Sequence, residues 1–192
     1  MIKLKKTRAL IVLNSILLSK TSINSGKYSL YSDHMAGVIV QKILNGGPND
    51  FQMGDFKFHG IVSPNLSGLN KLYSHLKFIV LLLLIAIKEH KKEPFDCIIT
   101  YDPFNAGLLG LLLKKMLKIK LIVEVNGNYG ERKCWSIESK LSLNNFKYYY
   151  CQFMVPFVLN RCDGVKLLYP QQLEAYKRKI TNKNIQTFHE YV

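Results

Sequence analysis

Three places in this chain carry residue types that could do chemistry: Gly26 in the polar run SKTSINSGKYS, Asp102 ahead of Pro103, and the pair Asn126-Gly127. A glycine-bearing loop offers backbone N–H groups to a ligand. The Asn126 amide can orient or polarise a group but cannot act as a general acid or base. An Asp just before a helix can line a cleft, and it is equally a good helix cap. Asn-Gly is likewise a common turn pair. These residues are candidates for binding, and none is assigned a catalytic role.

The elements that must position them are legible around Phe95 to Glu131, FDCIITYDPFNAGLLGLLLKKMLKIKLIVEVNGNYGE. Cys97 to Thr100 and Leu121 to Val125 read as strands, joined by an amphipathic helix that Asp102 caps and Pro103 opens. So short a helix implies a right-handed crossover between parallel neighbours. Both loops then leave the carboxyl ends of adjacent strands, where open α/β sheets bind ligands, which places Asp102 and Asn126 on one rim.

The remaining segments predict an α/β fold, a Rossmann-like open parallel sheet with helices on both faces. Ala9 to Leu13 reads as the first strand and the Gly26 loop follows it. No G-x-G-x-x-G is present, which disfavours a dinucleotide enzyme. Met35, Val38, Ile39 and Ile43 recur at helical spacing and predict a helix over 31–44, with Asp33 and His34 in its first turn. A strand is expected near Lys57 to Val62, and a nearly all-apolar helix from Leu69 through Lys88. Gly107 and Gly110 are expected to pack on the sheet. A long aromatic helix over 146–162 should be kinked or split at Pro156. Val165 to Tyr169 reads as a strand, Pro170 opens a helix through Lys179, and Asn184 to Val192 starts a further strand or a linker.

The length of 192 residues suits one domain spanning 1–192, and the net charge of +14 favours an anionic partner. Four cysteines without a C-x-x-C pair or a zinc-finger His point away from metal and fit a reducing cytoplasm. Phe78 to Ile87 is apolar but too short to span a bilayer, and the basic start before Ala9 lacks a cleavage site. Lysines with an apolar helix predict peripheral attachment to an anionic membrane. Charge alone also allows a nucleic-acid-binding α/β domain, but no RNA- or DNA-binding motif accompanies it.

Phe95 to Glu131 and the later VLNRCDGVKLLYPQQ resemble the amino-terminal domain of GT-B glycosyltransferases of the retaining, family-four type. The strand, Asp-Pro loop and glycine-bearing helix match Ile98 to Leu117, the Asn-Gly loop matches Leu121 to Gly127, and the "ADGV" strand entry matches Cys162 to Val165. The resemblance implies an acceptor-side half of a two-domain enzyme of polysaccharide biosynthesis, with Gly26, Asp102, Asn126 and Gly127 lining the cleft. It implies a nucleotide-sugar donor held by a second domain, a glycan or lipid-linked acceptor, and no cofactor in this chain. The second domain's E-x7-E carboxylates have no counterpart here, so the donor half is expected to be missing or to be a separate chain. The isolated chain is then expected to be inactive, and to work in the cytoplasm on the inner face of the membrane.

Overall fold

A computed structural model describes residues 5–17, 28, 31–44, 49–63, 68–135 and 142–187. Its strands are β1 (Thr7–Leu17), β2 (Met35–Ile43), β3 (Asp50–Met53), β4 (Phe56–Val62), β5 (Cys97–Thr100), β6 (Lys120–Val125), β7 (Gly164–Leu167) and β8 (Ile185–Thr187). Three long helices accompany them among the described residues: α1 (Gly68–Lys92), α2 (Asn105–Leu117) and α3 (Leu143–Leu159), with 3₁₀ turns at Arg132–Trp135 and Pro170–Tyr176. The strands form one eight-stranded sheet in the order β3-β4-β2-β1-β5-β6-β7-β8. Every pairing is parallel except the β3–β4 hairpin.

Because β1 lies mid-sheet it is buried on both sides, and Ala9, Leu10, Ile11 and Val12 are all fully covered. Leu10, Val12, Ile98, Leu121 and Val123 face a core shared with Phe78 and Leu82 of α1, Leu113 of α2 and Val155 and Val158 of α3. Ala9, Ile11, Ile39 and Phe58 face a second core closed by Tyr28, a helical residue on the opposite side of the sheet. The sheet thus carries helical structure on both faces, with its three long helices together on one of them.

The βαβ unit is as expected, with β5 and β6 parallel neighbours joined through α2. The helix starts at Asn105, so Pro103 sits in the turn before it and not at its first position. Gly110 does rest on the sheet: a Cβ there would stand 2.7 Å from Leu121 Cδ1 and 2.8 Å from Thr100 Cγ2. Gly107 faces α3 instead, where a Cβ would meet Val158 Cγ1 at 2.8 Å.

One expected element is overturned. Over 31–44, only Tyr31 is helical; a turn follows, holding Asp33 and His34, and the rest is β2, paired to both β1 and β4. Both faces of β2 are buried from Gly37 to Ile43, so its apolar residues need not alternate, and a doubly covered strand mimics helical spacing. Gly37 adds a backbone reason. Its φ of 145° is closed to other residues, and a Cβ would lie 2.0 Å from the Ala9 carbonyl oxygen of β1.

Elsewhere the differences are of extent. The strand expected near Lys57 is β4, and β3 pairs with it as a hairpin that the sequence did not announce. The aromatic helix runs unbroken through Pro156. The helix expected from Pro170 is a 3₁₀ turn ending at Tyr176, and the final expected strand is the three-residue β8. Gly26 lies outside the described residues.

Candidate functional site at the carboxyl rim of the sheet

Parallel connectivity sends the ends of β5 and β6 to the same edge, and the structure brings the two predicted loops together there. Asn126 is exposed, and its Nδ2 donates to the carbonyl of Tyr101, the residue before Asp102, at 3.3 Å. Asp102 itself turns inward. Its Oδ1 accepts from the backbone N–H of Phe104 at 2.8 Å and of Ala106 at 3.1 Å, capping the first turn of α2. Burial pushes the Asp102 carboxyl above its usual range, opposed by those N–H groups and by the Lys42 ammonium.

The second loop is held from below. A Cβ on Gly127 would stand 3.3 Å from the Tyr129 ring, so the loop folds back over that ring. The Tyr129 carbonyl accepts from Trp135 Nε1 and from Gln152 Nε2, each at 3.3 Å. Buried Gln172 donates to the Val125 carbonyl at 2.6 Å and accepts from the Leu168 N–H at 2.7 Å, tying the ends of β6 and β7. Burial, reinforced by the Asp102 charge, raises the Cys151 thiol to about 12, which keeps it protonated near neutral pH.

Two features of this edge escaped the sequence. Lys42, near the carboxyl end of β2, is almost fully buried, lies 3.1 Å from His75 Nδ1 and covers the Phe78 ring at 4.7 Å. Reading β2 as a helix hid its place on the rim. On the sheet face opposite the helices, Lys166 pairs with buried Glu124 at 2.9 Å and reaches the Tyr31 hydroxyl at 3.4 Å. Burial drives the Tyr28 and Tyr101 phenols beside them well above their ordinary range, so both stay neutral. A cavity of about 630 Å³ opens along this wall. The alternation of Glu124 with apolar neighbours in LIVEV was the available signal.

The rim can bind and orient polar groups through the exposed Asn126 amide. No group of three or more His, Cys, Asp or Glu side chains among the described residues is arranged to hold a metal. No helix among them is long and apolar enough to cross a membrane.

No family model matches the chain, and no curated protein matches its sequence. Solved structures do match. Sucrose-phosphate synthase from Thermosynechococcus elongatus superposes with a TM-score of 0.61 at 16% identity, over 93% of this chain and 47% of that one. Arabidopsis thaliana UGT89C1 complexed with UDP gives 0.57 at 12% identity, over 98% and 53%. UDP-GlcNAc 2-epimerase from Methanocaldococcus jannaschii gives 0.50 at 13%, over 94% and 45%. The chain spans about half the length of these proteins. Its α/β sheet has the Rossmann-like fold found in the GT-B glycosyltransferases among them.

Proposed function

We propose that this chain is the acceptor-binding half of a GT-B glycosyltransferase of the retaining, family-four type. The observation that carries the reading is the junction of the β5 and β6 loops, where Asn126 bonds to the residue before Asp102 on a sheet that matches half of each neighbour. In a complete enzyme a second domain, in the same polypeptide or a partner chain, faces this rim and holds the nucleotide-sugar. The acceptor, a glycan or lipid-linked saccharide, lies against the rim. Asn126 orients an acceptor hydroxyl, the Gly127 backbone allows close approach, and Asp102 keeps the loop in place. Buried Lys42 supplies positive charge on the same edge, fitting an acceptor with a phosphate or a leaving diphosphate.

The reading places the protein in polysaccharide assembly on the cytoplasmic side of the membrane, and makes the chain alone inactive. The test is sugar transfer from radiolabelled nucleotide-sugars to a lipid and glycan extract, with and without a donor-binding domain supplied by the adjoining reading frame. Transfer only when both are present supports the reading. Turnover by the purified 192-residue chain alone overturns it.

A further inference from the structure

The three long helices are unlike ordinary surface helices, which pair an apolar inner stripe with an outer face of mixed charge. On α1 the outward residues Leu72, Leu76, Val80 and Leu84 recur every fourth position and are each 54–58% exposed, while Phe78, Leu82 and Ala86 fill the core behind them. On α3 the outward face is aromatic: Phe146, Tyr149 and Phe153 are 57–69% exposed. Leu112 and Met116 of α2, which packs against both α1 and α3, are 41% and 44% exposed. Every exposed large apolar side chain among the described residues except Tyr169 belongs to these helices.

Their charge is equally one-sided. The helices contain a single acidic residue, Glu89, and it is buried against Lys57 and Lys92. Lys77, Lys88 and Lys91 of α1, Lys115 of α2 and Lys147 of α3 are all exposed. An apolar and aromatic surface set among lysines, with no exposed carboxylate within the three helices, complements an anionic sheet of lipid. Apolar side chains enter the acyl boundary while lysine stems lie along it and carry their ammonium groups to the headgroups. A second copy of the face is a poor fit, since its charges would repel, and protein interface cores are depleted in lysine.

We propose that the outward faces of α1, α2 and α3 together form a docking surface for an anionic bilayer, with the helices lying in the plane of the interface. All three helices follow strands of a parallel sheet, so each begins at the carboxyl rim. Docking on this layer therefore holds the rim beside the bilayer, one helix diameter of about 10 Å above it. If the rim accepts sugars as proposed above, its acceptor is carried by a lipid in that leaflet; the docking itself does not depend on that reading.

The test is flotation of the purified chain with vesicles of phosphatidylcholine alone or with an equal part of phosphatidylglycerol. Salt is varied from about 0.1 M to about 1 M, which shortens the screening length from about 10 Å to about 3 Å. Binding to the anionic vesicles only, weakened by salt, is expected. Val80→Glu and Phe153→Glu should each weaken it roughly tenfold or more, because each places a carboxylate in the acyl boundary. Lys183→Glu, whose residue lines the cavity on the opposite face, should leave it nearly unchanged, and thermal melts confirm that the exposed-site variants remain folded. No binding to anionic vesicles overturns the proposal, as does binding that the two helix variants leave intact. A self-association abolished by those variants, without vesicle binding, would reassign the face to contact between copies. Docking intact but no sugar transfer once the donor-binding domain is supplied would count against the acceptor reading alone.

Discussion

The two edges of the sheet use their polar residues in opposite ways. At the amino edge carboxylates meet cations or strand N–H groups: Arg8 Nε pairs with Glu93 at 2.8 Å and its N–H donates to Asp96 at 2.7 Å. Lys114 pairs with Asp163 at 2.8 Å, and the same carboxylate accepts from the Leu121 N–H, also at 2.8 Å. At the carboxyl edge Asp102 is held by backbone N–H groups with no cation within ion-pair distance among the described residues, and Asn126 stands exposed on one 3.3 Å hydrogen bond. An edge closed by ion pairs has settled its charges within the chain. At the other edge the Asn126 amide is left exposed, and it is there that the acceptor site is proposed.

That contrast can be broken by substitution. The largest effect is expected from Asn126→Ala, which should lower transfer in the completed enzyme roughly thirtyfold, about 2 kcal/mol of barrier, with little change in melting temperature. Unchanged transfer together with a destabilised fold would make Asn126 a turn former. Asp163→Ala should do the reverse. Losing the ion pair and the Leu121 hydrogen bond should cost about 1–2 kcal/mol in urea unfolding while transfer stays at the wild-type rate. Asp102→Ala falls between, losing about 0.5–2 kcal/mol as a cap and also slowing transfer, because the Tyr101 carbonyl that holds Asn126 shifts with it.

The smallest effect sharpens the comparison through pH. Burial raises the Asp102 pKa above its ordinary 3.8, so the stability this group contributes is present in acid and is lost as pH rises through its folded value. For Asp163, burial is outweighed by Lys114 and the Leu121 N–H, which hold the pKa below 3.8; its contribution is present above that value and lost as pH falls through the folded one. Unfolding curves should therefore show the advantage of wild type over Asp102→Asn shrinking with rising pH, and its advantage over Asp163→Asn shrinking on acidification. Slopes of the same sign would remove the electrostatic distinction between the edges.

The rim was legible because a βαβ unit leaves only one arrangement for its two loops, so Asp102 and Asn126 could be set together from connectivity alone. What periodicity could not show was β2. Met35, Val38, Ile39 and Ile43 satisfy helical spacing, and only the β-branched run Val38-Ile39-Val40 and the contact of Gly37 with β1 speak for a strand. Losing β2 also lost Lys42 from the site. Gly107 was misplaced for a related reason, since spacing says which residues share a helix face but not which neighbour meets it. Gly26 falls outside the described residues, and its part in the cleft rests on the resemblance alone.

The position of β1 has a consequence in time. β1 precedes the other described strands in the chain yet lies in the middle of the sheet, and its second neighbour is distant: Val12 pairs with Thr100, 88 positions later. At a synthesis rate of roughly 5–20 residues per second, that partner reaches the ribosome's active centre roughly 4–18 seconds after β1. During that interval Leu10, Ile11 and Val12 have at best β2 beside them, one backbone edge is unsatisfied, and the apolar run Ala9 to Leu13 is open to wrong pairings. Folding of this protein should therefore be limited by the arrival of β5, and the nascent chain should depend on chaperones until residue 100 has emerged.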